Sequence, residues 1–130
     1  MDNVVKECAE EANISAELAR TARPVGVMSY VMEVNEGLRR HAMYLMDLDV
    51  PHEFQPEIVD GEVDSFELMS IKEVARLVRE TSEFKYNSSI AVIDYLIRTG
   101  RITPDETGYI DLVRGMHSPL NVMPSSISIV

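Results

Sequence analysis

The stretch VVKECAEEANI, residues 4–14, holds three glutamates, Glu7, Glu10 and Glu11. Offsets of three and four residues stack side chains on one face of an α-helix, so these carboxylates would crowd together. Beside them Val4, Val5, Cys8, Ala9 and Ala12 form an apolar set at helical period, the stripe expected of a helix laid on a core. Exposed like charges at this spacing repel by roughly a few tenths of a kcal/mol per pair. Lys6 softens that field, and the positive N-terminal end of a helix starting here would offset more of it. A divalent cation would remove the repulsion altogether. Mg2+ takes oxygen ligands and keeps water and phosphate oxygens in its shell, which suits carboxylates facing solvent. The competing reading is a solvated acidic face without a ligand, the ordinary role of a charge run.

Such a helix needs other elements to hold it. Ser15 to Ala22 reads as a second short helical piece, with Ser15 as N-cap, Leu18 as its bulky anchor, and Arg23 and Pro24 as its stop. Two β-rich runs follow, residues 24–34 and 38–50, about a turn at Asn35 to Gly37, and together they predict an antiparallel pair. Alternation puts Tyr44, Met46 and Leu48 on one side of the second run and Met43, Leu45 and Asp47 on the other. Both sides are largely apolar, which predicts cover on both faces. Beyond a loop with two prolines and a glycine, VDSFELM (63–69) reads as a third strand with Phe66 and Leu68 on one face.

Ser70 and Glu73 then have the spacing of a capping box for a helix over 70–80 that turns Ile71, Val74, Leu77 and Val78 inward. A further helix opens at Asn87 or Ser88 and stops at Gly100. A last one begins at Thr103 before Pro104, weakened by Gly108 and Gly115. Strands interleaved with helices define a mixed α/β layered domain.

Composition narrows the function classes. The chain of 130 residues suits one domain with a real core, and its 45% hydrophobic and 26% charged content is that of an ordinary globular chain. A net charge of −10 disfavours unassisted binding to nucleic acid or to an anionic membrane, both of which call for clustered Lys and Arg. Cys8 is the single cysteine, so neither an intrachain disulfide nor a multi-cysteine zinc site is available, and a reducing compartment fits. The N-terminus lacks the pattern of a secretory signal, and no apolar run reaches the roughly 20 residues of a membrane span. An intracellular, cytoplasmic protein is the expectation. Gly-rich phosphate loops and the Gly-x-Ser-x-Gly elbow are missing too.

The acidic stretch KECAEEANI resembles the second half of the Nudix box, G-x5-E-x7-R-E-U-x-E-E-x-G-U, in which U is a bulky apolar residue. Lys6 stands at the arginine, Glu7 at the next glutamate, Cys8 at the first U, Glu10 and Glu11 at the paired glutamates, Asn13 at the glycine and Ile14 at the last U. The segments ARPVGVMSY, MYLMDLDVP, DGEVDSFELMSIKEV, AVIDYLIRTGRITPDE and LVRGMHSPL are similar to the Nudix subfamily related to thiamine pyrophosphokinase, so the likeness runs from about Asn3 to Leu120. It implies an α/β/α sandwich with a mixed sheet, residues 1–119 forming a Nudix domain that lacks its N-terminal part and 120–130 a tail. It also implies hydrolysis of a diphosphate bond with Mg2+ or Mn2+, with thiamine diphosphate, its damaged analogues or a nucleoside diphosphate derivative as substrate. Carried over residue by residue, Glu7 and Glu11 are metal ligands, Glu10 is a further ligand or positions the water, and Lys6 orients a glutamate less rigidly than arginine would. Glu62, entering the third strand, is the candidate general base, with Asp60 and Asp64 as neighbours whose plainer reading is exposed loop carboxylates.

Several other residues carry plainer readings. His41, His52 and His117 lack the short spacing of a zinc helix and read as surface or packing residues. Cys8 reads as a small core residue, and Tyr30 and Tyr44 as sheet packing more than as a substrate pocket. The first half of the Nudix box would fall upstream of Met1, because its glutamate belongs eight positions before Lys6. The expectation is therefore an N-terminally truncated chain with an exposed sheet that invites self-association. The alternative to an enzyme fragment is a catalytically inactive, Nudix-derived metal-binding or protein-interaction module. Outside the family, an acidic α/β interaction module would carry its glutamates for solubility.

Overall fold

The computed structural model describes residues 1–35, 37–59 and 61–117. Among these residues seven elements follow one another: α1 (Asp2–Ala12), α2 (Ala16–Ala19), β1 (Arg23–Val34), β2 (Gly37–Asp47), α3 (Ile71–Glu80), α4 (Tyr86–Arg98) and α5 (Tyr109–His117). The α/β class expected from the interleaved pattern is what the chain adopts. β1 and β2 pair as a two-stranded antiparallel sheet. The chain divides into two compact units, one of residues 1–26 and 45–73, the other of residues 27–44 and 74 onward.

In the first unit α1 and α2 meet at a corner. Asn13 closes α1 in the left-handed conformation (φ 52°, ψ 34°). This is the backbone that glycine adopts freely and that asparagine tolerates best among the other residues. Ser15 caps α2 as its sequence position foretells, its Oγ accepting from the Leu18 N–H at 3.2 Å. The buried anchor of that helix is Ala19, however, with Leu18 only half-buried, because a four-residue helix aims few side chains inward. Arg23, placed by sequence as a helix stop, forms an ion pair with Asp49 at 2.6 Å.

The third strand over 63–69 does not form. Residues 63–70 are irregular, Leu68 is 95% exposed and Phe66 is exposed as well, so the alternation there buries neither side chain. A strand requires a hydrogen-bonded neighbour, and the sheet consists of β1 and β2 among the described residues. The described residues between Asp47 and Ile71 therefore form an irregular connection.

In the second unit Met28 is 1% exposed on β1, and Leu77, Ile90, Leu96 and Met116 are buried on α3, α4 and α5. The outer face of β2 is open: Leu38 and Tyr44 are exposed while His41 and Met43 are half-buried. Cover on both faces, expected from the apolar content of this run, is thus absent along residues 37–44. Tyr44, read as sheet packing, points outward and is 79% exposed.

Two helix starts also differ from expectation. α4 begins at Tyr86 behind Lys85, whereas Asn87 spends its Oδ1 on the neighbouring Ser88 N–H at 3.0 Å. α5 begins at Tyr109, since residues 103–108 form turns and Gly108 takes a positive φ of 84° that breaks the helical path. The tail and its boundary after residue 119 lie outside the described residues.

Candidate functional site

α1 carries the acidic face. It starts five residues before Glu7, at Asp2, and ends at Ala12 with no basic residue in its last turn. Glu10 and Glu11 therefore sit at the negative end of the helix dipole, not the favourable one. Two exposed carboxylates there cost the helix about 0.3–1 kcal/mol each. A local rule broken without gain to the fold marks a candidate functional position.

Lys6 answers part of that charge. Its Nζ lies 2.9 Å from Glu10 Oε2 and 3.7 Å from Glu7 Oε1. The hydrogen bond and charge of Glu10, and then the charge of Glu7, raise the Lys6 pKa and keep the ammonium protonated. All three side chains stay open to solvent, so this is a charge arrangement and contributes little to stability. Glu11 is exposed one turn beyond Glu7. Burial first, and then the charge of Glu11, pushes the half-buried Cys8 thiol up, which makes it a poor nucleophile.

The donors offered by α1 are the hard carboxylate oxygens that Mg2+ and Mn2+ take. Their chemistry fits such an ion. The described residues nevertheless bring no three acidic, histidine or cysteine side chains into a cluster that could enclose one. Lys6 stands between Glu7 and Glu10, and Glu62 does not join them in such a set. Glu62 is exposed in the irregular connection and enters no strand. Asp64 is exposed nearby, and Asp60 lies outside the described residues.

The sequence offered no sign of how α1 is tied down. Asn13 Nδ2 donates to Glu57 Oε2 at 2.8 Å, and the Glu57 N–H donates to the Ala12 carbonyl at 3.3 Å. These partners lie far apart in the chain, and polar pairs at such a distance leave no periodic trace. The histidines take separate places: His52 and His117 are exposed, while His41 stacks on Tyr30 and buries an unpartnered Nε2. No helix among the described residues is long and apolar enough to cross a membrane.

No protein-family model matches the chain. It is similar to Nudix hydrolase 24, chloroplastic, of Arabidopsis thaliana, with 45% identity over 117 residues that make up 90% of this chain and 32% of that protein. Nudix hydrolase 20, chloroplastic, of the same plant is 41% identical over 116 residues, 89% of this chain and 31% of that protein. An uncharacterized protein of Saccharomyces cerevisiae is 33% identical, over 92% of this chain and 38% of its own length. The likeness to named proteins is thus to Nudix hydrolases, and the chain spans about a third of the length of the relatives it matches.

Proposed function

We propose that the chain is a portion of a metal-dependent Nudix diphosphohydrolase. The observation that carries this reading is its similarity, over nine-tenths of its length, to two plant proteins named as Nudix hydrolases. The acidic face of α1 supports it. Glu7 and Glu11 take the role of metal ligands, Glu10 adds a ligand or holds the attacking water, and Lys6 orients Glu10 through the ion pair at 2.9 Å. Held by these glutamates, Mg2+ or Mn2+ would supply charge neutralisation and a more acidic water. Water oxygen adds to phosphorus, the bridging P–O bond breaks, and Glu62 accepts the proton. The substrate is thiamine diphosphate, a damaged analogue of it, or a nucleoside diphosphate derivative. The two plant relatives carry a chloroplast designation, and a single cysteine is compatible with a plastid as well as with the cytoplasm.

A second reading is a catalytically inactive, Nudix-derived metal-binding or protein-interaction module. The observation that favours it is the outward apolar side chains, such as Leu38 and Tyr44, through which copies could associate. Mn2+- or Mg2+-dependent hydrolysis of thiamine diphosphate, its oxidised analogues, ADP-ribose and 8-oxo-dGDP, by the chain and its Glu11→Gln variant, separates the two. Turnover abolished by the substitution supports the enzyme; a folded chain without turnover supports the module.

A further inference from the structure

We propose that residues 63–69 dock as an added strand on the open edge of β2 in a second copy of the chain; this rests on the reading of Leu38 and Tyr44 as an association surface and is independent of any metal. VDSFELM alternates as a strand does and contains neither proline nor glycine, yet it is irregular, with Phe66 and the 95% exposed Leu68 facing water. What it lacks is a hydrogen-bonded neighbour. The ribbon has the complementary lack. Among the described residues the sheet has two strands, so β2 pairs with β1 along one edge and has no strand along the other. Residues 37–40, 42 and 44 of β2 are exposed, and no proline interrupts them. An open, proline-free edge is a template for a strand from another chain.

Charge selects the edge and the register. From 62 to 69 the segment carries Glu62, Asp64 and Glu67 and no cation, while β2 over 37–44 carries Arg39 and Arg40 and no carboxylate. β1 is the poorer edge: it holds Pro24 and Glu33, and its one Lys or Arg residue, Arg23, is paired with Asp49. Alternation puts Asp64, Phe66 and Leu68 on one face of the segment, and Arg40, Ala42 and Tyr44 on one face of β2. Run parallel, the two sets match one to one: Asp64 beside Arg40, Phe66 over the small Ala42, Leu68 against Tyr44. All six residues are exposed in the single copy, so pairing buries apolar surface and joins opposite charges. Every copy carries both the segment and the edge, and exchange in both directions gives a twofold dimer.

The test follows mass against concentration by sedimentation of the full chain, with no metal added. The parent should rise from one chain, 14.7 kDa, toward two as concentration enters the millimolar range. Arg40→Asp and Asp64→Arg each set like charges side by side in both contacts and should weaken association about tenfold. Both positions are exposed, so neither change removes buried surface, and circular dichroism checks that each variant folds. Mixing the two variants, or combining both changes in one chain, restores opposite charges and should restore the dimer. Single variants that leave association unchanged, or a mixture that fails to restore it, would overturn the exchange; if Tyr44→Ser then abolishes the dimer, the surface stands without it. The mass of one chain at every concentration sinks both. Amide protection at residues 63–69 that does not depend on concentration would place the strand within one copy and overturn the proposal as well.

Discussion

Tyr30 and His41 lie face to face, ring centroids 5.0 Å apart and planes 10° from parallel. Each is four residues from the turn, Tyr30 before Val34 and His41 after Gly37, so the stack pins the strand register. Tyr86 adds an edge-on contact to Tyr30 at 5.8 Å. The imidazole brings a burden, a buried Nε2 without a hydrogen-bond partner. His41→Phe keeps the stack and removes the orphan nitrogen. Urea unfolding should show a gain of about 1 kcal/mol, with His41→Ala moving the other way.

Two glycines should respond oppositely to alanine. A Cβ on Gly26 would meet Leu45 Cδ1 at 3.8 Å, ordinary van der Waals contact, and its φ is not positive. Gly26→Ala should therefore be neutral or stabilise by up to about 0.5 kcal/mol by restricting the unfolded chain. Gly100 has open space around it but a φ of 68°, where it turns the chain out of α4 so that the Arg101 and Ile102 N–H groups reach the Leu96 carbonyl. Gly100→Ala should cost about 1 kcal/mol in the same unfolding assay.

The helices were legible in the sequence because apolar residues recur at helical period and the breaks carry recognisable residues: Ser15, Ser70 and Gly100 each do what their type foretells. The ribbon was legible from its two β-rich runs and the turn between them. Three features were not. The burial of β2 depends on what lies over each face, which alternation cannot tell, so Tyr44 was placed on the correct side and given the wrong exposure. Residues 63–69 alternate as a strand does, yet pairing is a property of a partner, not of the segment. The ties of Asn13 to Glu57 and of Arg23 to Asp49 join segments remote in the chain. At the candidate site the acidic face could be read directly; its orientation against the helix dipole depended on where α1 starts.

The irregular state of 63–70 has its own test. Leu68 is 95% exposed, so Leu68→Ser removes no buried surface. The unfolding free energy should stay within about 0.5 kcal/mol of the parent, as for surface substitutions in general. A loss of about 2 kcal/mol or more would show that Leu68 faces a core and would restore the strand reading.

Cys8 reports on the charge of the acidic face. Burial is the larger cause of its raised pKa and the Glu11 carboxylate the second. Because the folded state holds the thiol proton more tightly than the unfolded one, the associated stability is present below the usual thiol range and declines as pH rises through it. At pH 8 the thiolate fraction should be lower than in a free cysteine, and labelling by a disulfide reagent correspondingly slower. Glu11→Gln removes the neighbouring negative charge, so labelling should quicken, most at low ionic strength where screening is weak. Mn2+ held by Glu11 would have the same sign of effect as the substitution, and would have none in the Glu11→Gln chain. A labelling rate that Glu11→Gln leaves untouched would mean that Cys8 and Glu11 do not share one local field.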